Sequence, residues 1–342
     1  MNRLLILAAR YSRWIPETFL RGLFLMAADL AWFFHLGGVG QLEKNLAHVL
    51  AVPDGDEADG PRKEGGGPAL DHRRLRHLSR LGMRSYFTYF SEALTVGARD
   101  EDTLLARVRG AGSGYPSPAK RDIGIRSVPI GMGHQGNWDY AGFWAGKRVS
   151  PVTTVAEKLK DRALLETFAD IRRRLGINIL LTGEPDITGR LTRLLEGPGQ
   201  VVPLLADRDL SRNGVFVRAF DSCIRVAAGP AVIALDSGLP LYTVNMYRER
   251  LSGDRRRRAG TPYGYVCRID GPIDVSPFED LPRDQAVQEL TQAWVDAWAR
   301  GVRQHPEDWH MLQPIFIDDL DLSRMHGVPD SVKAMAGKGE QS

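Results

Sequence analysis

Only two of the 342 residues are cysteine, Cys223 and Cys267, and neither stands near a second cysteine at metal-ligand spacing. A disulfide framework is excluded, and a reducing, cytoplasmic setting is the natural expectation. The chain also lacks an uncharged apolar run of the roughly 20 residues that a spanning helix needs. Its most apolar stretch, Leu4 to Leu36, is interrupted by Arg10, Arg13, Glu17, Arg21 and Asp29. No small-residue cleavage site follows a short apolar core there, so secretion is disfavoured along with spanning. The aspartates are not at metal-site spacing, and no metal is expected. Neither Cys/His spacing nor an aromatic ribonucleoprotein signature accompanies the basic residues, so a nucleic-acid partner is not expected.

What is present is a folding composition. A hydrophobic fraction of 43% and a charged fraction of 25% are ordinary for a globular chain with a sizeable core. The length fits one large α/β domain with an N-terminal extension as well as it fits two domains. Net charge is only +3, but positive charge gathers at Arg172-Arg173-Arg174 and Arg255-Arg256-Arg257-Arg258. Such clusters are either solvated faces or attractors of anions such as lipid head groups.

Residues 1–100 read as a helical N-terminal region. Its first part carries Trp14, Phe19, Phe24, Trp32 and Phe33 beside cationic residues, a pattern suited either to lying in a membrane interface or to packing on the main domain. Residues 53–68 are Gly, Pro, Asp, Glu and Lys almost throughout and are expected as a flexible surface loop. From Asp71 to Ala98 apolar residues recur at helical spacing, among them Leu75, Leu78, Leu81, Tyr86, Phe87 and Phe90. Residues 101–325 form the expected core, and 326–342 are expected as a disordered tail.

Within that core, short apolar runs alternate with amphipathic patterns. Strands are expected at Val128 to Met132, Val152 to Ala156, Ile177 to Leu181, Val201 to Ala206, Val215 to Phe220, Leu241 to Tyr247 and Tyr263 to Ile269. Helices are expected at Asp161 to Leu175, Asp186 to Glu196 and Asp284 to Gln304. The fold class is α/β: a central, mostly parallel or mixed sheet with helices on both faces, preceded by a helical membrane-associating region.

The chemistry concentrates in Pro129-Ile130-Gly131-Met132-Gly133-His134-Gln135-Gly136-Asn137-Trp138-Asp139-Tyr140. An apolar strand ends in glycines, His134 follows, and Asn137 can cap a helix whose first turn holds Asp139. On one continuous helix His134 and Asp139 would point about 140° apart. With His134 in the preceding turn they can meet, so Asp139 is expected to fix the tautomer of His134 while the imidazole takes a proton from an attacking alcohol. The glycines are expected to let substrate approach the backbone, and helix N-terminal amides to serve a developing oxyanion. No Gly-x-Ser-x-Gly elbow is present and neither cysteine has an evident base partner, which disfavours a covalent intermediate.

The block Gly133-His134-Gln135-Gly136-Asn137-Trp138-Asp139 resembles the His, four residues, Asp motif of glycerolipid acyltransferases. More specifically, it resembles the branch of lipid A late acyltransferases and actinobacterial phosphatidylinositol mannoside acyltransferases. The second group is matched in order along nearly the whole chain. The matching blocks are Asn45-Leu46-Ala47-His48-Val49-Leu50, Arg84-Ser85-Tyr86, Val155-Ala156-Glu157-Lys158-Leu159, Leu204-Leu205-Ala206-Asp207-Arg208-Asp209-Leu210 and Pro306-Glu307-Asp308-Trp309-His310-Met311-Leu312-Gln313.

The resemblance implies a peripheral enzyme at the cytoplasmic membrane face. Acyl-CoA would be the donor co-substrate, with no cofactor, and a mannose hydroxyl of a phosphatidylinositol mannoside the acceptor. It makes His134 the general base, and Asp207, or its neighbour Asp209, a second carboxylate that pairs with the histidine. It places Glu157, Arg172 and Arg208 at the substrate, with Arg172 on the inositol phosphate. The alternatives are a lipid A precursor or lysophospholipid as acceptor, a non-catalytic glycolipid-binding protein, and Asp207 as a turn aspartate paired with Arg208 or Arg212.

Overall fold

The computed structural model describes residues 15–51, 71–115, 127–158, 160–209, 213–325 and 328–339. The 53–68 loop lies outside them, as do Leu4, Arg10, Arg13, Trp14, Leu159, Leu210 and Arg212 among the residues named above. Among the described residues the first helices are α1 (Glu17–Phe33), α2 (Val39–Leu50) and α3 (His72–Thr95), followed by α4 (Glu101–Arg107). Asp71 caps α3 by accepting from the amides of Arg73 and Arg74. The aromatic set of α1 divides by face. Phe24 packs on Phe87 and Trp32 donates to Ser79 Oγ at 2.9 Å, so both point inward. Phe19, Leu23, Met26, Leu30 and Phe33, spaced four, three, four and three residues apart, are exposed along one stripe.

Apolar runs then become strands. A seven-stranded sheet is built from β1 (Val108–Ala111), β2 (Val128–Met132), β3 (Val152–Ala156), β4 (Ile177–Leu181), β5 (Val201–Leu205), β8 (Leu241–Arg250) and β9 (Tyr263–Ile273). Its order is β1-β9-β8-β2-β5-β3-β4. The only antiparallel neighbours in it are β8 and β9. The remaining pair, β6 (Val215–Ala219) and β7 (Ser222–Val226), forms a separate hairpin.

Helices cover both faces, because buried parallel strands need apolar cover on each side. On one face α5 (Trp138–Arg148) packs Tyr140, Ala141, Phe143 and Trp144 against Val128, Ile130 and Met132 of β2. On the other, α8 (Gly229–Ser237) and α10 (Arg283–Gln304) bury Ala231, Trp294 and Trp298. α6 (Arg162–Arg174), α7 (Ile187–Leu195) and α9 (Gly253–Ala259) complete the core. Residues 330–339, within the stretch expected to be a disordered tail, form α11 (Asp330–Gly339). Its Val332 is buried against Phe216 and Ile317.

The glycines around His134 have a different task from the expected one. A Cβ on Gly131 would stand 2.8 Å from the indole of Trp294, and one on Gly133 would stand 2.5 Å from Trp298 Nε1. They admit α10 to the sheet rather than substrate to the backbone. Trp294 is fully buried, so Trp294→Ala is expected to cost about 3–5 kcal/mol of stability, read from urea denaturation.

Candidate active site

β2 and β5 are parallel neighbours with Met132 opposite Leu205. Two residues beyond that pair, on each chain, stand His134 and Asp207, at the C-terminal edge of the sheet where α/β proteins build their sites. His134 Nδ1 lies 2.6 Å from Asp207 Oδ1. Asp207 Oδ2 accepts from the His134 backbone amide at 2.9 Å and from Trp309 Nε1 at 2.9 Å. A carboxylate can only accept, so Nδ1 donates to it, and in the neutral form of the ring the lone pair falls on Nε2. The His134 side chain is 23% exposed while that of Asp207 is fully buried. Burial would raise the Asp207 carboxyl. The charge that His134 carries when protonated and the hydrogen bonds from His134 and Trp309 outweigh it and hold the group below the ordinary aspartate value.

Asp139 is therefore not the partner of His134. Asn137 accepts from the Tyr140 amide at 3.0 Å and starts α5. Asp139 then points away, into a buried pair with Arg172 Nε at 2.7 Å and a hydrogen bond from the Tyr89 hydroxyl at 2.9 Å. Burial works against the Arg172 charge and would lower it, but Asp139 and Tyr89 hold its proton more tightly than usual. The Nε of Arg172 is thereby engaged on Asp139, with the side chain still 17% exposed. The place beside His134 is taken instead by Trp138, whose ring meets the imidazole edge to face at 5.5 Å.

The other candidates fall around this centre. Arg208, next to Asp207, donates to Glu157 at 3.1 Å, with the Glu157 side chain half exposed. Asp209 pairs with Arg225 at 2.6 Å, which leaves Asp207 as the carboxylate on His134.

Sequence reasoning missed how the segment Asp308–His310 clamps the loop. The Gly136 amide donates to Asp308 O at 2.9 Å, the His310 amide donates to His134 O at 2.7 Å, and Gln135 bridges Trp309. Asp308 is anchored in turn by Ser85 Oγ at 2.6 Å and by the Arg248 backbone amide at 2.7 Å. His310 Nε2 lies 2.9 Å from Ser85 Oγ, and since that hydroxyl gives its proton to Asp308 it accepts from His310. Burial first of all pushes the His310 imidazole down to about 3, so it stays neutral. The signal for this clamp was the Trp309-His310 pair itself, whose indole N–H reaches the Asp207 carboxylate.

Behind Trp138 an apolar cavity runs between α5 and the sheet, lined by Met132, Trp138, Ala141, Ala145, Val149 and Val244. A larger cleft rimmed by Arg99, Lys147, Arg173 and Arg174 contains none of the residues around His134. In its neutral form the His134 ring can take a proton from an alcohol at Nε2.

The sequence profile of the bacterial lipid A biosynthesis acyltransferase family matches residues 76–317, and the chain belongs to that family. It is thus an acyltransferase. A phosphatidylinositol mannoside acyltransferase of Mycolicibacterium smegmatis is 33% identical over 318 residues, spanning 92% of this chain and 91% of that protein. One of Mycobacterium tuberculosis is 33% identical over 318 residues, spanning 91% and 87%. The crystal structure of the 1-acyl-sn-glycerophosphate acyltransferase PlsC from Thermotoga maritima aligns over 82% of this chain and 95% of that one, at 13% identity and a TM-score of 0.33.

Truncating one member of a buried ion pair strands the other. Arg172→Ala is expected to lower stability by about 3–5 kcal/mol, and adding Asp139→Asn should recover part of it. Equilibrium urea unfolding of the single and double variants measures both.

Proposed function

We propose that this enzyme moves a fatty acyl chain from acyl-CoA to a mannose hydroxyl of a phosphatidylinositol mannoside, with His134 as general base. The observation that carries the reading is the His134–Asp207 contact at 2.6 Å, which turns the Nδ1 proton to the carboxylate, so that the neutral ring offers Nε2 as the base. Nε2 takes the proton of the sugar hydroxyl as its oxygen attacks the thioester carbonyl. The tetrahedral intermediate collapses with cleavage of the carbon–sulfur bond, and the imidazolium returns its proton to the departing thiolate. Asp207 stabilises the imidazolium, the part expected of Asp139 from the sequence. The cavity behind Trp138, about 50 Å³ as it stands, opens to receive the acyl chain, and no acyl-enzyme or resident cofactor takes part.

Glu157 and Arg208 contact the acceptor, because they stand at the open side next to Asp207 with Glu157 half exposed. The acceptor itself is inferred from the names of the mycobacterial relatives. The exposed stripe of Phe19, Leu23, Met26, Leu30 and Phe33 lies in the membrane interface at the cytoplasmic face, where an amphipathic helix gains by burying such a stripe. Among the described residues no helix is long and apolar enough to cross a membrane.

Transfer of radiolabel from palmitoyl-CoA to purified phosphatidylinositol mannosides tests the reading, with a lipid A precursor and a lysophospholipid in parallel. His134→Ala should lower the rate by about 10²- to 10⁴-fold. Asp207→Asn should cost more than Asp139→Asn. Transfer to another acceptor alone would overturn the acceptor assignment, and full activity of His134→Ala would overturn the base.

A donor-length series checks the cavity separately. Ala145→Trp should depress transfer from long-chain donors more than from short ones. An equal loss at every length would place the chain elsewhere.

A further inference from the structure

Glu92, in the last turns of α3, is a buried carboxylate to which the chemistry above gives no task. It is 3% exposed. Burying a carboxylate is costly unless it is paired and hydrogen-bonded, so its partners indicate what it holds. Oε2 accepts from Asn137 Nδ2 at 2.9 Å and from the Tyr265 hydroxyl at 2.7 Å. Oε1 stands 4.0 Å from Arg21 Nη2 of α1, and opposite charge also reaches Glu92 from Arg107 and Arg248.

Asn137 is the joint between the catalytic loop and α5. Its Oδ1 accepts from the Tyr140 amide, and its Nδ2 is tied to Glu92, so both ends of the amide are engaged. A carboxylate cannot donate, so this network permits only that orientation of the amide. On either side of Asn137 the chain meets the site. Gly136, at φ +54°, donates to Asp308 O, and Trp138 stands against the His134 ring. Rotation of the Asn137 side chain would release the start of α5 and with it the Trp138 wall.

We propose that Glu92 is a positioning residue for acyl transfer, orienting Asn137 and, through it, Trp138 and the loop that carries His134. The proposal rests on His134 as the base. It also links α1 to the geometry of the loop, because Arg21 shares with Arg107 and Arg248 the balancing of the charge that Glu92 brings into the core.

The experiment exchanges the polarity of the pair without changing its shape. Asn137→Asp keeps an oxygen to cap α5 but sets a second carboxylate against Glu92, and adding Glu92→Gln restores a donor and an acceptor across the contact. Steady-state kinetics are measured on each variant at a temperature where far-ultraviolet circular dichroism shows it folded. Asn137→Asp should lower kcat roughly 100-fold with the KM for acyl-CoA nearly unchanged, as a small misplacement of reacting groups does. The double variant should recover most of that loss, which independent sites would not allow. Multiplied losses in the double variant, or full activity of Asn137→Asp, would overturn the proposal, as would a loss seen only in thermal midpoint and not in kcat. His134→Ala in the same assay reports on the base assignment by itself, so failure of that reading and failure of this one are separately visible.

Discussion

Parallel strands bring equivalent positions side by side at their C-terminal ends, and pairing Met132 with Leu205 turns that rule into a contact between His134 and Asp207. Everything at the active centre depends on this register. Side chains alternate across a strand, so a one-residue slip of β5 would send Asp207 to the other face and leave His134 without its carboxylate. The register is held by apolar groups on both faces, with Ile130 and Met132 against α5 and Gly131 against Trp294. Fixing the carboxylate before substrate arrives removes the reorganisation that solvent would otherwise require, the condition under which buried dipoles act most strongly.

A fully buried Asp207 would be a liability if its oxygens were free. Its three donors come from two distant parts of the chain: the amide and the ring of His134, and the indole of Trp309. The segment around Trp309 is itself tied to β8 through Arg248 and to α3 through Ser85. The helical N-terminal region is thereby joined to the catalytic loop by hydrogen bonds rather than by apolar contact alone. Polar groups account for much of the buried surface of α3, including Ser79, Ser85, Thr88, Ser91 and Glu92. Such residues inside a core are directional, which suits a scaffold that must orient a loop and not only cover it.

Much of the fold was legible because the β2, β3, β4 and β5 runs are short, apolar and β-branched, and because α6, α7 and α10 carry one-sided apolar periodicity. β1 was missed since Val-Arg-Gly-Ala buries little beyond Val108. β7 was missed since Ser222 and Arg225 break its alternation. At the site, His134 and the cap at Asn137 could be read locally. The partner of His134 could not, because nearness in sequence favoured Asp139, whereas the contact with Asp207 is made across two strands. Asp139 is claimed by Arg172 from a helix 33 residues away, a crossing that no local pattern encodes. Asp207 was found only through the family resemblance.

The glycines at 131 and 133 also have a meaning for how such a protein can change. Each shares one space with a tryptophan of α10, Gly131 with Trp294 and Gly133 with Trp298. Across each contact the glycine and the indole are two halves of a single volume, and close-packed interiors conserve volume more strictly than identity. Neither half can grow unless the other shrinks. Sequence drift here is therefore constrained to paired steps, and the route between two versions of the loop that carries His134 passes through the tryptophans of a distant helix.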